Sequence, residues 1–131
     1  MELFRKECSP NEIRLQQIAA DLGLAPSIHE TDNETYMVME RLPSMNIADS
    51  YGTSIRNLPH YVRNQIVDIL ATLYLSKGIQ YQDITPYNFI EESGCVWIID
   101  FGDAYDNQPD IHPHLAKILK TGLLRWNPEF K

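Results

Sequence analysis

Seven carboxylates (Asp83, Glu91, Glu92, Asp100, Asp103, Asp106 and Asp110) fall within residues 81–110, a stretch that contains no lysine or arginine. Like charges repel, so such a run needs either open solvent around it or a counterion that the chain does not encode. Spacing gives the second reading a shape. Four residues separate Asp83 from Asn88, and Asp100 follows twelve positions after Asn88, at the head of Asp100-Phe101-Gly102. Carboxylate and amide oxygens are the donors that hard divalent cations take, commonly together with phosphate. The plainer alternative makes Asp83 and Asn88 loop residues that bond their own backbone, with Asp100 capping a turn.

The flanking elements must hold these residues. Asn88-Phe89-Ile90 and Val96-Trp97-Ile98-Ile99 read as a hairpin across Glu91-Glu92-Ser93-Gly94, which returns Asn88 and Asp100 to the same end. Leu58-Pro59 opens the longest helix, with Val62, Ile66, Ile69, Leu70 and Leu73 on its buried face and Gly78 at its end. Upstream, Ser9 caps a first helix, Pro10 sits in its first turn and Glu12 closes a capping box. Leu15, Ile18, Ala19 and Leu22 follow at helical spacing, and Gly23 with Pro26 supplies the stop. Tyr36-Met37-Val38-Met39-Glu40 is a short strand that pairs near Ile28, and a last helix runs from about Pro113 to Thr121. The order predicts an α+β domain.

With 131 residues the chain has room for one domain, spanning 1–131, and the 44% hydrophobic content suffices for one core. A net charge of −7 argues against nucleic acid as partner. No apolar run has the length of a membrane span, so no membrane partner is expected. Cys8 and Cys95 form no framework and read as small apolar fillers, which fits a reducing, cytoplasmic setting. His112 and His114 beside Asp110 imitate a metal trio, but two histidines in a Pro-containing loop read better as surface residues or caps. Trp97 is expected in the core, and Trp126 with Phe130 is expected to anchor the tail.

Tyr81-Gln82-Asp83-Ile84-Thr85-Pro86-Tyr87-Asn88, followed by Asp100-Phe101-Gly102, resembles the protein-kinase superfamily. Its catalytic loop carries D-x-x-x-x-N and its metal loop D-F-G. The resemblance implies a kinase-like fold with a trimmed N-lobe and hinge over 1–42 and a minimal C-lobe over 43–131. It implies that Asp83 accepts or orients the acceptor hydroxyl proton, while Asn88 and Asp100 hold Mg²⁺ or Mn²⁺ against ATP. Tyr36-Met37-Val38-Met39-Glu40-Arg41-Leu42 is similar to the kinase strand and hinge. Met39 would then be the gatekeeper, and the backbone of Glu40 and Leu42 would meet adenine. Lys6, on a short strand over Glu2–Glu7, is the candidate phosphate-contacting lysine, with Glu12 as its helix partner. The competing roles are the capping box for Glu12 and open solvent for Lys6.

Departures from the family pattern are equally specific. Tyr81 and Gln82 stand where the family has His and Arg, and loss of that Arg implies that no activation-loop phosphate is read. In this the loop is closer to RIO-type and small-molecule kinases. No two glycines are spaced G-x-G, so a glycine-rich phosphate loop is missing. Eight residues precede the first helix and 29 follow Gly102, which leaves little room for further N-lobe strands or a peptide-binding segment. Chains this reduced resemble the short kinase-like proteins of large DNA viruses or phages, which would place the protein in host cytoplasm. Two expectations follow from the resemblance. The first is an ATP- and Mg²⁺-dependent phosphotransferase acting on a protein Ser/Thr or small-molecule hydroxyl. The second is an inactive nucleotide-binding or decoy module that acts on a partner or host kinase.

Overall fold

A computed structural model describes residues 2–130. The amino-terminal part consists of β1 (Leu3–Glu7), α1 (Pro10–Asp21), β2 (Ile28–Thr31) and β3 (Tyr36–Glu40). The three strands make an antiparallel sheet in the order β1-β3-β2. Its register sets Phe4 opposite Met39 and Lys6 opposite Met37, and it pairs Ile28 with Met39. Side chains alternate along a strand, so these residues share one face. Met37 and Met39 on that face are buried with Ile13 of α1, and Cys8 and Ile28 pack at the margin. The other face is polar: the Arg5 guanidinium lies 4.0 Å over the Tyr36 ring, whose hydroxyl donates to Glu30 at 2.7 Å.

The remaining chain forms α2 (Ile47–Tyr51), a 3-10 turn (Ile55–Asn57), α3 (His60–Lys77), β4 (Phe89–Glu92), β5 (Cys95–Ile98) and α4 (Pro113–Thr121). The result is a mixed α+β fold with a second, two-stranded antiparallel sheet. The expected face of α3 is buried in full, from Val62 through Leu73. It meets Leu15 and Ala19 of α1, Phe89 and Ile98 of the hairpin, and Leu115 and Ile118 of α4 in one cluster. Helix α1 therefore serves two cores, with Ile13 toward the sheet and Leu15 toward α3. Gly78 ends α3 at φ 66°, and its N–H donates to the Tyr74 carbonyl at 2.9 Å. Among the described residues, no helix is long and apolar enough to cross a membrane.

Several local expectations are corrected. The hairpin turn is only Ser93-Gly94, with φ of 54° and 84°, the two left-handed residues that a tight primed turn requires. Glu91 and Glu92 therefore belong to β4, opposite Val96 and Cys95. Their charge is absorbed locally. Glu91 accepts from the Tyr51 hydroxyl at 2.6 Å and from the Tyr61 hydroxyl, and Glu92 accepts from Ser44. The capping box of α1 is only half made: Ser9 Oγ accepts from the Glu12 N–H at 3.2 Å, while the Glu12 carboxylate turns to Lys6. Cys95 is exposed and fills no core, and Trp97 is only partly buried. His112 acts as a cap, its Nδ1 accepting from the His114 N–H at 3.2 Å. The tail is held by Trp126, which donates to the Thr53 carbonyl at 3.0 Å, and by the buried Asn127, whereas Phe130 joins neither core cluster.

Candidate active site

Alternation along β1 puts Phe4 and Lys6 on the face that looks toward the β4–β5 hairpin, and they form one wall of a cleft of about 560 Å³. Pro26, Met39, Glu40, Arg41 and Leu42 continue the lining, followed by Pro43, Ser44, Met45, Asn46 and Asp49, and Asn88, Ile90, Ile99 and Asp100 complete it. Six of the seven residues singled out from the sequence (Lys6, Met39, Glu40, Leu42, Asn88 and Asp100) thus line a single cavity. Its volume falls within the roughly 300–1,000 Å³ of small-molecule sites.

Ionic contacts gather at one end. Lys6 Nζ pairs with the Glu12 carboxylate and lies 3.3 Å from Asp100 Oδ1, although 94 positions separate Lys6 from Asp100. Burial alone would lower the Lys6 pKa, but Glu12 and then Asp100 outweigh it and hold the ammonium above its ordinary value. Glu12 is the more deeply buried partner, with a side chain 7% exposed against 26% for Lys6. A buried carboxylate needs a paired cation, and that requirement takes Glu12 out of the capping box.

Asp100 adopts a left-handed φ of 63°, a conformation that short polar side chains tolerate by bonding nearby backbone. Its Oδ1 accepts from the Gly102 N–H at 3.2 Å. A Cβ on Gly102 would lie 3.3 Å from that oxygen and 3.7 Å from Glu12 Oε1. Gly102→Ala is therefore expected to displace the Asp100 carboxylate by a few tenths of an ångström and to weaken any ligand that needs it. Calorimetric titration with ATP and Mg²⁺ checks this; unchanged affinity would mean that the Asp100 position is not critical.

Asn88 is buried and fixed by its own loop: Nδ2 donates to the Asp83 carbonyl at 2.9 Å. Asn88 and Asp100 both line the cleft, and their side-chain oxygens are of the kind that hard cations take. Such a set suits Mg²⁺, which keeps several waters and takes one or two carboxylates together with phosphate. No group of three His, Cys, Asp or Glu side chains placed to hold a metal occurs among the described residues. Asp83 stands outside the cleft lining. Burial pushes its carboxyl above the ordinary range, the Asn88 amide opposes the shift, and the Asp100 and Asp103 carboxylates reinforce it.

Three contributors were missed from sequence. Phe4 lines the cleft while 44% exposed, a position that alternation with Lys6 would have revealed. Tyr81 is fully buried; its hydroxyl donates to the Ile99 carbonyl at 2.5 Å, and its ring packs edge-on to Phe101 with centroids 5.4 Å apart. It thereby ties the Asp83 loop to the Asp100 segment. Asn127 clasps the same loop from the tail: its N–H donates to the Ile84 carbonyl at 2.9 Å and its Nδ2 to the Gln82 carbonyl at 2.8 Å. No residue pattern announces either clasp.

At the far end of the cleft, the β3 edge runs out. The Arg41 N–H donates to the Glu2 carbonyl and the Glu40 N–H to the Ser27 carbonyl, each at 2.9 Å. The Leu42 N–H donates to no backbone carbonyl among the described residues, and Glu40 and Leu42 both line the cleft. This end of the cleft can accept a flat ligand that offers Leu42 an acceptor. Compared with models of known protein families and with curated proteins, the chain matches none.

Proposed function

We propose that the chain is a reduced member of the protein-kinase-like superfamily, an ATP-dependent phosphotransferase that moves the γ-phosphoryl group to a hydroxyl acceptor, a protein Ser/Thr before a small molecule. The observation that supports this most is the convergence on one cleft of Lys6, paired with Glu12, of Asn88 and Asp100, and of the backbone edge at Glu40 and Leu42. Adenine would lie against that edge, between Phe4 and the apolar residues Met39, Leu42 and Ile99. Lys6 carries a fixed positive charge at neutral pH and would neutralise phosphate oxygens, with Glu12 holding it in place. Asn88 and Asp100 would hold Mg²⁺ or Mn²⁺, which when bound neutralises the phosphate charge that develops in phosphoryl transfer. Asp83 would orient the acceptor hydroxyl and take its proton. Burial raises its pKa above that of an ordinary carboxylate, which makes it a better base once ionised.

The protein as a whole is tested by incubation with ATP and Mg²⁺ across a panel of protein and small hydroxyl acceptors, with transferred phosphate as the readout. No transfer above the Asp83→Asn background would leave the second reading, an inactive nucleotide-binding or decoy module for a partner kinase. One observation favours that alternative. The three-stranded sheet offers no glycine-rich turn over the phosphates among the described residues.

The position of the base has its own test. Met39 is buried where it meets the cleft, so Met39→Gly should open a space behind adenine. The variant is expected to bind bulky N6-substituted ATP analogues that the parent excludes, and competition binding against ATP reads the difference. Equal binding by both proteins would place adenine elsewhere.

A further inference from the structure

A second cavity, of about 240 Å³, shares no lining residue with the cleft. His112, Pro113, His114 and Lys117 from the start of α4 line it together with Arg125, Asn127, Pro128 and Glu129 from the tail. A smaller hollow of about 80 Å³ adjoins it through His114, Lys117 and Arg125. In a chain of net charge −7, four basic side chains thus face one concavity with a single carboxylate. That carboxylate, Glu129, is 63% exposed and reaches only His112, at 3.7 Å. Lys117 and Arg125 have no carboxylate within ion-pair distance among the described residues. His114 Nε2 is buried without a hydrogen-bond partner.

We propose that this cavity is a phosphate-binding site, separate from the cleft, which takes a phosphomonoester or free inorganic phosphate between Lys117, Arg125 and His114. Each feature lacks the same thing, an anion with several acceptor oxygens. Arg125 presents the planar fork that pairs with two phosphate oxygens, Lys117 supplies a point charge, and the His114 ring lines the same cavity, where it reports on an anion held by the other two. The start of α4 adds the positive end of its dipole. Size selects against a nucleotide, since the volume is below the usual small-molecule range of about 300–1,000 Å³, whereas a tetrahedral oxyanion on a short stem fits. Electrostatics agree: burial lowers the His114 pKa, and Arg125, His112 and Lys117 add repulsion that Glu129 only partly offsets. A bound anion reverses that balance.

The test follows the His114 imidazole by NMR in the full chain while inorganic phosphate or O-phosphoserine is added at constant ionic strength, with chloride as control. Saturable shifts are expected, together with a rise in the His114 titration midpoint. Lys117→Ala with Arg125→Ala changes two exposed residues and should weaken binding by about tenfold or more. Glu129→Gln removes the competing carboxylate and should tighten it. Binding of O-phosphoserine at least as tight as that of phosphate would assign the site to a phosphorylated side chain. Binding of phosphate alone would assign it to the free ion. Shifts that fail to saturate, that chloride reproduces, or that survive in the double variant would overturn the site. None of these outcomes bears on the ATP cleft.

Discussion

Asp83→Asn should lower phosphoryl transfer by about 10²–10⁴-fold, the usual contribution of a general base, while leaving the affinity for ATP and Mg²⁺ unchanged. The split follows from position. Asp83 lies outside the cleft lining, so the proposed role sets it against the acceptor and not the nucleotide. Its carbonyl accepts from the Asn88 amide, a contact the substitution retains, although the Asn88 side chain loses the carboxylate it also favours. A stability effect of opposite sign should accompany the loss. The Asp83 carboxyl titrates above its ordinary range in the folded protein, so between the unfolded and folded values the folded state binds more protons. Stability then falls as pH rises through that window, and the cost persists at neutral pH. Asp83→Asn removes it. The variant should melt higher than the parent at pH 7, and the difference should vanish in acid below the ordinary carboxylate range. Transfer assays together with melting curves at two pH values read both effects. A variant that keeps transfer, or that loses ATP affinity in parallel, would remove Asp83 from the role of base.

Asp100→Asn should abolish the Mg²⁺-dependent part of nucleotide binding. A ligand that binds only the folded state at a hundredfold excess over its Kd stabilises that state by about 2.7 kcal/mol, a shift of several degrees for a domain of this size. The parent should show that shift with ATP and Mg²⁺ together, and the variant only the remnant seen with ATP alone. Folding should survive, because Asn also tolerates the left-handed φ of 63° and can still accept from the Gly102 N–H. Lys6 keeps Glu12, so no buried charge is orphaned. Absence of any shift in the parent at millimolar ATP and Mg²⁺ would dispose of both the enzyme and the nucleotide-module readings.

What the chain encodes locally was legible. The buried face of α3, the strand Tyr36–Glu40, the helix Pro113–Thr121 and the stop at Gly78 all follow from periodicity and caps. Such features depend on neighbours within a turn or two, and sequence order supplies those neighbours. Spacing also predicts that Asn88 and Asp100 lie at the same end of a hairpin, and both line the cleft. Choices among partners were not legible. Glu12 has two competing duties, and the pairing with Lys6 becomes visible only once the three-stranded sheet packs on α1 through Met37, Met39 and Ile13. Glu91 and Glu92 looked like surplus charge until Tyr51, Tyr61 and Ser44, remote in sequence, closed on them. Asn127 and Tyr81 bind carbonyls of distant loops, a role that any residue with a donor could fill. A side chain's secondary structure is set by its near neighbours, whereas its ionic and hydrogen-bond partner is set by whichever distant group the packed core brings within about 3 Å.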